Sequence, residues 1–252
     1  MGAPPKMTAR EAFDLNIEDA EILVELAKLL VNQRQRRMRR ELRERLGEAL
    51  SLARKHWTEL ECLENDRVFV TFKPGHASLR AKLDEVNLRP LLRQALVAAC
   101  AAVETFCADR VMERYAAAIA ANPPPGGLLE LSMTVGDYLA IEEYQKKGWG
   151  LRQVVELELR QRASPAPAQI GQLFSLVGEK KLLSRVDRRR KVNVGDSTTE
   201  LDRIVMRRNL IAHTGDRLGR GRATISVDEV EDDLAVIVSI IDALDQETRP
   251  ER

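Results

Sequence analysis

Ser197-Thr198-Thr199-Glu200-Leu201-Asp202-Arg203-Ile204-Val205-Met206-Arg207-Arg208-Asn209-Leu210-Ile211-Ala212-His213-Thr214-Gly215 reads as a helix with a start, an apolar face and a stop. Ser197 followed by Glu200 matches a capping box, in which the hydroxyl accepts from a free backbone N–H and the carboxylate reaches back. Leu201, Ile204, Val205, Leu210, Ile211 and Ala212 recur at helical spacing and form a broad apolar face. Gly215 can adopt the left-handed conformation that ends a helix. Asn209 and His213 stand one turn apart and share a face. Arg208 leaves the helix to one side, but its long side chain can swing towards the same spot. An imidazole near a helix C-terminus also has a plain electrostatic use, since the macrodipole stabilises its cation.

Working outward, the helical pattern dominates. A stripe of Leu23, Ala27 and Leu30 is followed by Met38, Leu42, Leu46, Ala49, Ala53, Trp57 and Leu60. A polar waist between them predicts two helices, or one long interrupted helix, over residues 13–63. Residues 67–72 alternate and end at Pro74-Gly75, as a short strand or extended connector would. Pro90 suits the first turn of a helix, and residues 91–121, rich in alanine and leucine, form the clearest buried helix. Glu104 lies inside that run, where an unpaired charge is costly to bury. It must face solvent, pair with an arginine, or face the Arg208 and His213 site. Asn122-Pro123-Pro124-Pro125-Gly126-Gly127 breaks the chain. Thr134 with Asp137 caps a helix through Lys147, residues 151–162 form a second, and residues 168–177 a third. Ser226 with Glu229 caps the last helix, striped by Val230, Leu234, Ile237, Val238, Ile241 and Leu244.

Composition narrows the function classes. The 252 residues suit one large domain with an appendage, and the formal net charge is only +1. Charge is unevenly placed: residues 34–45, 185–191 and 203–222 are basic, and residues 228–251 are acidic. Local basic patches bind nucleic acid even when the whole chain is neutral. Cys62, Cys100 and Cys107 form no metal or disulfide framework, and the latter two suit buried small apolar positions. His56, His76 and His213 are scattered, so no metal and no cofactor is expected. No apolar run spans a bilayer, and Met1-Gly2-Ala3-Pro4-Pro5-Lys6 lacks a signal region, so the expected protein is cytoplasmic and free of membrane.

The order of these features resembles the HEPN domain, most closely its RiboL-PSP type. The resemblance rests on Ala102-Val103-Glu104-Thr105-Phe106, the 131–144 segment, Arg208-Asn209-Leu210-Ile211-Ala212-His213 and the closing helix, and spans residues 88–247. It implies an all-α, HEPN-type helical bundle with an N-terminal extended helical appendage. The corresponding division is a flexible tail at 1–16, the appendage at 17–66, a connector at 67–87, the HEPN-like domain at 88–247 and a tail at 248–252. HEPN domains commonly dimerise, many are metal-independent endoribonucleases, and members serve toxin–antitoxin, anti-phage and RNA-processing systems. The implied catalytic residues are Arg208, Asn209, His213 and, from its place in the core helix, Glu104. Arg203, Arg207, Arg188, Arg189, Arg190 and Lys191 are the expected RNA contacts. Expected partners are RNA, a second copy of the chain, and an antitoxin or defence-complex protein.

Elementary chemistry agrees with such an assignment. RNA carries its own nucleophile, the 2′-hydroxyl, so cleavage needs a proton acceptor, a proton donor and positive charge at the phosphate. Histidine supplies the first two near neutral pH, and arginine the third. The alternatives are a non-catalytic HEPN module that binds RNA or protein, and a helical subunit of a larger defence complex. A nucleotidyltransferase-modified variant wants His-x-Tyr, but Thr214-Gly215 follows His213.

Overall fold

Phe13, Ile17, Ala20, Val24 and Ala27 recur every three or four residues and give helix α1 (Ala9–Leu30) one continuous buried stripe. The computed structural model describes residues 7–31, 34–75 and 83–250. Helix α1 lies along α3 (Glu85–Ala120), whose buried face includes Leu96, Cys100, Val103, Phe106 and Cys107. Small residues on both faces let the helices approach, and Phe13 meets Phe106 edge-on at a centroid distance of 6.1 Å. Thr8 and Glu11 form a complete capping box at the start of α1. The helix therefore begins inside the stretch expected as a flexible tail, and α1 belongs to the main core. Residues 1–6 of that expected tail lie outside the described residues.

The rest of the N-terminal region is a small unit of its own. It contains β1 (Arg34–Arg36), α2 (Arg40–Ala49), a 3-10 turn (Arg54–Glu59), β2 (Glu61–Glu64) and β3 (Phe69–Phe72), with the strands antiparallel in the order β1-β2-β3. Met38, Leu60 and Cys62 form its separate apolar cluster. The helical pattern expected over residues 13–63 does form two helices, but it stops at Ala49, and Leu60 and Cys62 reach the cluster from the 3-10 turn and β2 instead.

The C-terminal half adds α4 (Gly126–Leu129), α5 (Val135–Glu143), α6 (Lys147–Arg162), α7 (Pro167–Ser175), α8 (Leu182–Arg190), α9 (Asp196–Thr214) and α10 (Val227–Thr248). A two-stranded hairpin, β4 (Arg217–Leu218) and β5 (Gly221–Arg222), joins α9 to α10. Helices α1, α9 and α10 all pack on α3, and α8 packs on α10. The architecture is all-α, as the resemblance implies.

Several boundaries move for physical reasons. Helix α3 starts at Glu85, with Asp84 accepting from the Asn87 N–H, so Pro90 lies in its second turn and not at its start. The capping box at Thr134 and Asp137 is present, but the helix ends at Glu143 and α6 opens at Lys147. By length and composition, residues 86–120 could cross a bilayer, which no run in the bare sequence was expected to do. That stretch is the core helix, and its apolar side is covered by α1, α9 and α10.

The expected capping box at Ser197 does not form. The N-cap of α9 is Gly195, at φ 97°, a left-handed conformation that favours glycine. The buried Asp187 carboxylate on α8 accepts from the Gly195 N–H at 2.8 Å and the Ser197 N–H at 3.0 Å. A charged acceptor from the neighbouring helix thus does for the first turn of α9 what Gly195, without a side chain, cannot. The Ser197 hydroxyl and Glu200 instead accept from Arg190.

Burial pushes the Asp187 carboxyl up, but hydrogen bonds from the Ser197 side chain and from the Gly195 and Ser197 backbone hold it below its ordinary value. A depressed carboxyl contributes stability above its unfolded pKa, and that stability fades as pH falls through the folded pKa. Asp187→Ala is expected to lower stability at pH 7 by about 1–2 kcal/mol, the range for a lost helix cap. The difference from the parent should shrink in acid, as denaturant melts at pH 7 and pH 3 would show. An equal difference at both pH values would contradict this role.

Candidate functional site

Helix α9 positions the site because its two sides have different environments. Leu201, Ile204, Val205 and Ile211 are buried against the bundle. Met206, Leu210 and His213 are exposed on the outer side, with Asn209 half-buried at its edge. The expected apolar face is therefore narrower than the sequence pattern, since Leu210 and Ala212 lie outside it. Gly215, at φ 63°, closes the helix as expected, its N–H donating to the Ile211 carbonyl.

Arg208 turns towards α3. Its Nη2 donates to Glu104 Oε1 at 2.9 Å, and its Nη1 donates to Asn209 Oδ1 at 3.0 Å. Its Nε is buried and bonds to no described residue. Both Arg208 and Glu104 keep part of their side chains accessible, at 23% and 30%. This is an ion pair at the rim of the bundle, and each terminal nitrogen of the guanidinium has a second N–H for a ligand. Burial pushes the Glu104 carboxyl above its ordinary value, and the Arg208 charge and hydrogen bond pull it only part of the way back.

His213 is exposed in the last turn of α9 and forms no hydrogen bond with the described residues. Asn209 stands one turn before it, with the two Cβ atoms about 5–6 Å apart on a regular helix. Arg208 and His213 leave such a helix about 140° apart, so Asn209 lies between them. One chain thus brings together Arg208, Asn209 and Glu104, and places His213 beside Asn209 on the outer face. Chemically, the cluster offers a cation for a phosphate, an amide to orient it and an accessible imidazole.

Cys100 lies near this cluster but is fully buried, and burial pushes its thiol up to about 12. It behaves as a small apolar residue and not as a nucleophile. Among the described residues, no three His, Cys, Asp or Glu side chains converge as metal ligands would; His76 lies outside the described residues.

A family model described as RiboL-PSP-HEPN matches residues 75–249. The chain belongs to this HEPN family. No curated protein and no solved structure matches it. Membership is consistent with an RNA-related function, since HEPN domains are often nucleases.

The expected RNA contacts of this HEPN chain divide into two groups. Arg188 and Lys191 are exposed. The others are tied into the fold, although Arg189 and Arg203 also stay exposed. Arg189 pairs with Glu247 and Gln246, and Arg190 with Ser239, Ser197 and Glu200. Arg203 pairs with the buried Asp233. Arg207 Nη2 donates to Asp216 Oδ2 at 2.9 Å and to the Thr224 carbonyl at 2.7 Å. These arginines hold α8, α9 and α10 together and anchor the connection after α9, so part of their donor capacity is already taken.

Two elements beside the site were absent from the sequence expectation. Arg93 on α3 donates from Nε to Asp216 Oδ2 at 2.8 Å and from Nη2 to the Ala223 carbonyl at 2.7 Å. Asp216 is 1% exposed and sits between Arg93 and Arg207. The hairpin β4–β5 begins at the next residue. The available signal was the Arg217-Leu218-Gly219-Arg220-Gly221-Arg222 string, which reads as a basic loop, and Asp216 as its only nearby carboxylate.

Proposed function

We propose that this HEPN protein is a metal-independent endoribonuclease, acting as a toxin or anti-phage effector in the cytoplasm. The observation that carries the reading is the Arg208–Asn209 hydrogen bond, with an exposed His213 one turn farther along the same helix. In this reading the Arg208 guanidinium and the Asn209 amide hold the scissile phosphate. An imidazole accepts the 2′-hydroxyl proton, the 2′-oxygen attacks phosphorus, and the bond to the 5′-oxygen breaks. A protonated imidazole returns a proton to the leaving 5′-oxygen, and Arg208 stabilises the charge gathered on the phosphate oxygens. The products end in 2′,3′-cyclic phosphate and 5′-hydroxyl. Glu104 has a supporting part. Its carboxylate accepts from Arg208 Nη2 at 2.9 Å and so positions the guanidinium at the rim of the bundle.

The two proton transfers ask for two groups, and each chain offers one exposed histidine in the motif. A symmetric homodimer would complete the site. Exposed Met206 and Leu210, one turn apart on the same side as His213, give that face apolar surface for a second copy. Mixed assemblies of wild-type and His213→Ala chains test this. With a shared site, equal mixing leaves about a quarter of the activity, because only wild-type pairs are complete. A loss strictly proportional to the mutant fraction would contradict sharing.

The Arg208–Glu104 ion pair favours a second reading, a non-catalytic HEPN module that binds RNA or a defence partner. In that case Arg208 is a structural cation already neutralised by its neighbour. RNA binding with no cleavage by either the wild type or His213→Ala would select this reading.

A further inference from the structure

The hairpin after α9 holds like charges in an unfavourable arrangement. Arg217 and Arg222 are direct partners across the β4–β5 ladder, and both are exposed. Directly opposed like charges on a strand pair destabilise it. Residues 217–222 carry three arginines and no carboxylate. No described side chain pairs with Arg217, Arg220 or Arg222. The nearest carboxylate in sequence, Asp216, is buried and already shared by Arg93 and Arg207.

The repulsion is held in place by a rigid base. Arg93 and Arg207 grip Asp216 and the Ala223 and Thr224 carbonyls, so both ends of the hairpin are fixed to α3 and α9. Between the hairpin and the end of α9 lies an open cavity of about 410 Å³, lined by Thr214, Gly215, Arg217, Arg220, Gly221 and Arg222. Its wall begins at the residue after His213. The helix C-terminus contributes only about half a negative charge, against three full positive charges.

We propose that Arg217, Arg220 and Arg222 form a phosphate-binding hairpin that holds the backbone of a single-stranded RNA beside His213. The bound phosphates relieve the Arg217–Arg222 repulsion, and the clamp on Asp216 sets where the strand lies. This deepens the nuclease reading and rests on it only for the purpose of the binding.

The test measures binding apart from cleavage. A fluorescent single-stranded oligoribonucleotide is titrated with the full chain carrying His213→Ala, with and without R217A/R220A/R222A, over a salt series. The hairpin arginines are exposed, and matched thermal melts check that the fold is intact. Loss of three phosphate contacts should weaken binding about tenfold or more at ~0.1 M salt and reduce the log–log salt slope by about 2. R217K/R220K/R222K should recover most of that slope. Equal affinity and slope with and without the arginines would overturn the proposal. Hairpin-dependent binding by a chain that never cleaves RNA would sink the nuclease reading and leave this one standing. Cleavage that needs His213 but ignores the hairpin would do the reverse.

Discussion

His213→Ala should lower RNA cleavage by about 10²–10⁴-fold, the usual contribution of a positioned general acid or base. The fold should survive, because His213 is exposed and forms no hydrogen bond with the described residues. Its only expected structural contribution is with the helix dipole, about 0.3–1 kcal/mol when charged. The pair of measurements is therefore diagnostic. A melting curve close to wild type together with lost cleavage places the imidazole in the chemistry. Full cleavage by the variant removes His213 from it. Arg208→Ala is less clean, because it also leaves Glu104 without its guanidinium partner.

Asp216→Ala should be among the most destabilising single changes in the chain. The carboxylate is 1% exposed, and its Oδ2 accepts from both Arg93 and Arg207. Arg93 is itself buried. Removing the anion leaves guanidinium charge out of water without compensation, which costs about 3–5 kcal/mol. Total stability for a domain is only about 5–15 kcal/mol, so the denaturant midpoint should fall steeply. Asp216→Asn keeps the shape and one acceptor and should lose less. A loss under ~1 kcal/mol for the alanine variant would mean that the arginines find water instead, contrary to the clamp. Loosening the clamp should also weaken RNA binding through the hairpin, even with all three of its arginines present.

The parts of this molecule legible in the sequence are those governed by local rules. Gly215 ends α9 because a positive φ is needed there, and Glu104 drew notice because a charge in an apolar helix must find a partner. The structure supplies that partner as Arg208. Tertiary contacts were harder to read. Ser197 and Glu200 have capping-box spacing, yet the cap comes from Asp187 on another helix. Arg189, Arg190, Arg203 and Arg207 have the spacing of a nucleic-acid surface, but each meets a carboxylate on another element or in the connection after α9. The buried stripe of α1 begins at Phe13 and Ile17, well before Leu23, and a stripe alone does not say which helix covers it.

In the proposed reaction the α9 cluster cleaves RNA through the 2′-hydroxyl. End-group analysis of RNA incubated with wild-type and His213→Ala protein, with and without EDTA, tests it most directly. The wild type should give 2′,3′-cyclic phosphate and 5′-hydroxyl ends, unaffected by EDTA and missing with the variant. Fragments ending in 3′-hydroxyl, or the same fragments from both proteins, would contradict it.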